Sequence, residues 1–270
     1  MKPLSENIDC LKNKTVLIVD DYPINLELMK IFVEETGALP LCATNGADCL
    51  EMIKKNKVDL ILMDLNMPQM NGLETTKAIR AIPQFEDIVI IGVTGYENKE
   101  EIDSCREAGM NDAVPKFSFN PDILIELASI FFCKNPHIPD PLNVSVMPND
   151  KMNMQSVIDF KKALRDFEGD SELLLSLTEK FVLTLQSQLD VIESSFRNND
   201  LKKIELEAHK IKGGAANLYA YQLAEAAREL EISCRTSQSP DAILNKLSVL
   251  QEQVDLFSSL VQCKAKHPVS

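Results

Sequence analysis

Between residues 58 and 68 the chain reads Val58-Asp59-Leu60-Ile61-Leu62-Met63-Asp64-Leu65-Asn66-Met67-Pro68, and five of its first six residues are apolar. A run of this length and continuity suits a strand buried on both faces of a parallel sheet better than a strand with one wet face. It ends on a carboxylate. Asp64 could cap the following turn. It could also be delivered to the carboxyl edge of the sheet, where α/β folds place their ligand sites.

A second acidic strand end favours the ligand site. Thr15-Val16-Leu17-Ile18-Val19 is another short apolar, β-branched run, and it stops at Asp20-Asp21 just before Pro23 opens a helix. Three carboxylates converging on one sheet edge repel unless a cation lies between them, and an all-oxygen donor set suits Mg²⁺. Ile88–Val93 makes a further strand that ends on Thr94-Gly95, and Asp112–Pro115 makes one that ends on Lys116. Acid pair, single Asp, hydroxyl and ammonium thus each stand at a strand end.

Helical spacing fills the gaps. Ile24, Leu28, Ile31 and Phe32 mark a helix stopped by Gly37. Leu39–Ala43 follows as a strand, and Asn45 caps a helix that runs out in Lys54-Lys55-Asn56-Lys57. Further helices are expected over 72–79, 98–108 and 121–133. Five strands alternating with five helices predict a doubly wound, flavodoxin-like parallel sheet of order 2-1-3-4-5. Pro115 agrees with that order, because proline inside a strand is tolerated chiefly at a sheet edge.

On these motifs residues 14–134 resemble a response-regulator receiver domain. The stretches that carry the resemblance are Val19-Asp20-Asp21, Met63 to Pro68, Asn71-Gly72, Val93-Thr94-Gly95 and Ala108 to Asp112 leading to Lys116. The resemblance implies that Asp64 is phosphorylated, that Asp20, Asp21, Asp64 and the Asn66 carbonyl hold Mg²⁺, that Thr94 hydrogen-bonds the phosphoryl group, and that Lys116 pairs with its charge. The sequence departs from the pattern twice. Ala113 stands where receivers usually carry an aromatic switch residue, and Phe117 replaces the proline that usually follows the lysine.

Residues 135–152 hold four prolines and no helical period, which reads as an extended linker containing His137. From 153 to 264 the period is helical throughout. Segments near 156–167, 171–197, 200–218, 220–235 and 241–263 are separated by short polar breaks, which predicts a helical bundle. In the third segment Ile204, Ala208, Ile211, Ala215 and Leu218 form the apolar stripe. His209 lies one residue off it and is expected to project towards solvent. Lys212 and Gly213 follow on the same face, and Gly213-Gly214 inside a helix costs about 1 kcal/mol per glycine relative to alanine, so some function needs the room. Residues 205–220 resemble a histidine phosphotransfer (HPt) domain. That resemblance implies that His209 accepts phosphate, with Lys212 assisting, Gly213 leaving clearance and Asn217 helping to hold the helix.

Composition narrows the alternatives. The formal net charge is -13, and 14–134 carries 11 basic against 20 acidic residues while 153–264 carries 13 against 17. A nucleic-acid footprint needs the opposite sign, so direct DNA binding is not expected. Seven cysteines without a CxxC spacing read as reduced thiols. Neither a signal-peptide core nor a membrane span is evident, with short tails at 1–13 and 265–270, and a cytoplasmic location is expected. No stretch reads as a kinase ATP-binding domain. The chain is therefore expected to act in a two-component phosphorelay, with Mg²⁺-dependent self-phosphorylation at Asp64. Its expected partners are a sensor histidine kinase, simple or hybrid, and a downstream response regulator. A phosphorylation-regulated binding module without transfer between Asp64 and His209 is the alternative. An aspartyl-phosphate hydrolase fits less well, since that group carries Asp-x-Asp where this chain has Asp64 and Asn66.

Overall fold

A computed structural model describes residues 10–94, 99–116, 119–132, 157–167, 169–237 and 239–266. The linker at 135–152, with His137, and residues Gly95 and Phe117 lie outside these. The described residues fall into two compact units divided between 149 and 150.

The first unit alternates strand and helix: β1 (Thr15–Val19), α1 (Pro23–Glu35), β2 (Leu39–Ala43), α2 (Gly46–Lys55), β3 (Leu60–Asp64), α3 (Gly72–Arg80), β4 (Val89–Thr94), α4 (Lys99–Ala108), β5 (Asp112–Pro115) and α5 (Pro121–Phe132). The five strands form one parallel sheet in the order β2-β1-β3-β4-β5. All five residues of β3 are buried, as its continuous apolar run requires of a central strand covered on both faces. Pro115 lies on the edge strand, where proline is tolerated.

Local chemistry sets the helix starts. The Asn45 side chain accepts from the Asp48 N–H at the head of α2. Asn71 and Glu74 form a reciprocal capping box at α3. Gly72 has a steric reason as well. A Cβ at this position would lie 2.2 Å from the Asp64 carbonyl oxygen, so only glycine lets α3 begin against the backbone that follows β3.

The second unit is helical: α6 (Phe160–Asp166), α7 (Ser171–Arg197), α8 (Leu201–Asn217), α9 (Tyr221–Arg235) and α10 (Pro240–Lys266). The side chains of Asp159, Asp170 and Asp200 cap α6, α7 and α8. The four long helices close a ring in which α7 packs on α8, α8 on α9, α9 on α10 and α10 on α7. Ile204, Ala208, Ile211 and Ala215 of α8 are wholly buried, and Phe181 meets Phe257 edge-on across the interior at 5.6 Å between ring centroids.

The cysteine reading needs one correction. Cys42, Cys49, Cys105, Cys234 and Cys263 are free thiols, but Cys10 is disulfide-bonded. Counting and spacing cannot reveal which sulfur atoms the fold brings together. Among the described residues no helix is long and apolar enough to cross a membrane.

Candidate functional sites

The carboxyl edge of the sheet gathers the residues that the strand ends deliver. Carboxylate oxygens of Asp20, Asp21 and Asp64 lie within 4.8 Å of one another. Lys116, just past β5, reaches across β4 to place Nζ 2.8 Å from Asp20 Oδ2 and 3.0 Å from Asp64 Oδ2. Asp20, Asp64, Thr94 and Lys116 are all buried. Asp20 is further held by both oxygens through Asn25 Nδ2, at 3.1 and 3.0 Å, and by the Tyr22 N–H at 2.8 Å. The Asn66 N–H donates to Asp64 Oδ1 at 3.3 Å, turning the chain sharply after β3.

The electrostatics follow from that crowding. Burial raises the Asp20 carboxyl to about 7, with the Asp64 charge acting in the same direction and Lys116 in the other. Burial also disfavours the Lys116 ammonium, but Asp20 and Asp64 outweigh it and keep the group protonated well above its ordinary range. Two or three anions sharing one cation is an arrangement short of positive charge. The donor set is all oxygen, which fits a hard divalent cation.

Thr94 and Ala113 complete the surroundings. The Thr94 hydroxyl donates to Glu101 Oε2 on α4 at 2.5 Å. Ala113 packs half-buried against the core between sheet and helices.

The second site lies on α8 and corrects an expectation. His209 does not project into solvent: it is only 8% exposed, and its Nδ1 lies 2.9 Å from Glu231 Oε1. Helix α9 packs over the residue flanking the apolar stripe, so a position one step off the stripe is still covered. Glu231 Oε2 accepts from Lys212 Nζ at 2.9 Å, and Oε1 also accepts from Arg235 Nη2 at 2.8 Å. Lys212 Nζ is 3.4 Å from His209 Nδ1. An ammonium and a guanidinium on one carboxylate favour its ionised form, which only accepts. The tautomer that satisfies it carries the proton on Nδ1 and leaves Nε2 basic. Lys212 and Nδ1 are then both donors, held near each other by the carboxylate they share. Gly213, Gly214 and Asn217 are buried in the same helix.

The structure brings together Asp20, Asp21, Asp64 and Lys116 in one site, and His209 with Lys212 in the other. Sequence reading missed Glu231, Arg235 and Glu101. Glu231 stands 22 residues from His209 in an ordinary amphipathic helix. Its only signal is a carboxylate on the buried face of α9, where a charge is costly unless paired.

Family comparison adds to this geometry. Residues 16–128 match the response regulator receiver domain, and residues 176–259 match the Hpt domain. The chain therefore carries a receiver followed by an Hpt domain, the pairing of modules found in two-component phosphorelay proteins. Among relatives, the virulence sensor protein BvgS of Bordetella bronchiseptica is 24% identical over 230 residues, covering 83% of this chain and 18% of that protein. The sensor histidine kinase GacS of Pseudomonas protegens is 27% identical over 228 residues, covering 80% of this chain and 24% of that protein. The chain thus spans less than a quarter of either relative. Among solved structures, the chemotaxis protein CheY4 of Vibrio cholerae is 27% identical, covers 44% of this chain and 98% of its own, and superposes with a TM-score of 0.42.

Proposed function

We propose that this chain is a phosphorelay intermediate that takes phosphoryl onto Asp64 and exchanges it through His209 with a partner receiver. Residues 14–134 would act as the receiver and 153–264 as the phosphotransfer module, joined by 135–152. The observation that carries this reading is the presence in one chain of two different acceptor sites. One is a buried carboxylate among acids and an ammonium; the other is an imidazole whose Nδ1 lies 2.9 Å from the Glu231 carboxylate.

At the receiver, an Asp64 oxygen attacks phosphorus in the donor's phosphohistidine, the N–P bond breaks, and the imidazole leaves. Lys116, already 3.0 Å from Asp64, pairs with the charge on the phosphoryl oxygens. Asp20, Asp21, Asp64 and the Asn66 carbonyl would hold Mg²⁺, which when bound neutralises further charge there. Thr94 at the end of β4 donates its hydroxyl to the phosphoryl group. At the second site Nε2 attacks phosphorus in a receiver's aspartyl phosphate, the acyl O–P bond breaks, and the carboxylate leaves. Glu231 holds the Nδ1 proton and compensates the positive charge that develops on the ring. Lys212 brings an ammonium beside the incoming phosphoryl oxygens, and Gly213 leaves room on the same face.

The donor would be a sensor histidine kinase and the recipient a separate response regulator. The relative GacS is named a sensor histidine kinase, and BvgS a virulence sensor protein. The metal half of this reading is tested by thermal melts of the full chain with and without Mg²⁺. Wild type should gain stability with Mg²⁺, and Asp20→Asn/Asp21→Asn should gain much less. Equal shifts in the two proteins would refute the metal site.

A further inference from the structure

Receivers of the family resembled here carry an aromatic side chain where this chain has Ala113. A methyl group has no rotamer to change, so any coupling of Asp64 to the surface runs by another route. On that side of the sheet the space is filled. A Cβ at Gly92 of β4, opposite Ala113 in the ladder, would lie 2.9 Å from Met110 Sδ and 3.4 Å from each of Cys105 Sγ and Ala113 Cβ. Cys105 of α4 and Met110 of the turn after it therefore sit tight against Gly92 and Ala113.

The link from β4 to α4 is polar instead. Thr94 ends β4, and its hydroxyl donates to Glu101, the third residue of α4. A hydroxyl has one proton to give. The Glu101 carboxylate and a phosphoryl oxygen on Asp64 are both pure acceptors, so they compete for that proton and repel each other when both are near it.

We propose that Glu101 is the positioning residue of this receiver's switch: it holds the Thr94 hydroxyl until phosphoryl on Asp64 draws that hydroxyl away, which frees the first turn of α4. The inference rests on the reading of Asp64 as the phosphorylated residue. It replaces a rotating aromatic side chain with an exchange of one hydrogen bond. Linkage makes the effect mutual at equilibrium: whatever loosens Thr94 from Glu101 favours phosphoryl on Asp64. The face that changes is the start of α4, so a partner that discriminates the two states would read that turn.

The test uses the full chain as wild type, Glu101→Ala, Glu101→Gln, Thr94→Ala and the double variant Thr94→Ala/Glu101→Ala. Two quantities are measured: the rate of Asp64 labelling by a small acyl phosphate with Mg²⁺, and amide exchange over 99–108 with and without beryllofluoride and Mg²⁺. A hydrogen bond to a charged acceptor sets the expected size of effect at roughly tenfold. Glu101→Ala should label about tenfold faster than wild type. Glu101→Gln, which keeps the shape and an acceptor oxygen, should label faster by a smaller factor and serves if the alanine variant folds poorly. In the Thr94→Ala background the further change Glu101→Ala should alter the rate less than twofold. Beryllofluoride should speed exchange at the start of α4 in wild type as much as Glu101→Ala does by itself. Independent effects of the two residues, with labelling intact, would overturn the switch alone. Absence of label in every variant, with exchange still showing Thr94 and Glu101 coupled, would overturn the phosphorylation reading and the switch with it.

Discussion

At the scale of single residues, the chemistry at the sheet edge is legible in the sequence because parallel strands export what stands at their carboxyl ends. Asp20, Asp64, Thr94 and Lys116 each follow a short apolar run, and the sheet order places Asp20, Asp64 and Lys116 within reach of one another. His209 was legible as a candidate through its glycine neighbours, but its surroundings were not. A residue is buried or exposed according to what packs over it, and here α9 supplies both the cover and Glu231. Glu231 is the residue whose loss should tell most. Removing a carboxylate that serves His209, Lys212 and Arg235 breaks the buried Lys212–Glu231 ion pair. Glu231→Ala is expected to destabilise the helical unit by about 3 kcal/mol, the range for breaking a buried pair. Urea unfolding followed in the 157–266 region measures this. A loss below about 0.5 kcal/mol, typical of surface substitutions, would show that the network holds nothing together.

At the scale of elements, strand and helix alternation was readable from periodicity, and most differences lie at the ends: the third strand starts at Leu60 and the tenth helix continues to Lys266. What periodicity could not show is how neighbouring strands are pinned in register. Asp59, which as a polar residue interrupts the apolar run before β3, is one such pin. Its Oδ2 accepts from the Thr15 N–H at 3.0 Å, and its Oδ1 is 3.0 Å from Lys14 Nζ, so the starts of β1 and β3 are tied. Partial burial works against the Asp59 carboxylate, yet the Thr15 N–H and the Lys14 charge prevail and hold it below its ordinary value of 3.8. A lowered native value means that the unfolded chain takes up the proton first as pH falls. The stabilising contribution is therefore complete above about pH 4 and is lost below it. Wild type should exceed Asp59→Asn in stability at pH 7, and the two should converge as pH drops through 4 towards 2. Melting curves across that range decide it. A gap that stays constant with pH would mean that Asp59 acts by shape alone.

At the scale of the whole molecule, two modules with different acceptor chemistry stand in one chain, and the sensor proteins it resembles are far longer. The central claim is that phosphoryl passes between Asp64 and His209-type sites. An acyl phosphate on Asp64 is lost in base, whereas a phosphoramidate on His209 survives base and is lost in acid. The full chain should therefore be labelled with a small phosphodonor and Mg²⁺, then treated with acid or base. Wild type should carry both kinds of label, Asp64→Asn neither, and His209→Gln only the base-labile kind. Base-stable label that persists in His209→Gln, or a His209 that takes no phosphate from Asp64 or from any phosphorylated receiver added in trans, would contradict the relay and leave a phosphorylation-regulated binding module in its place.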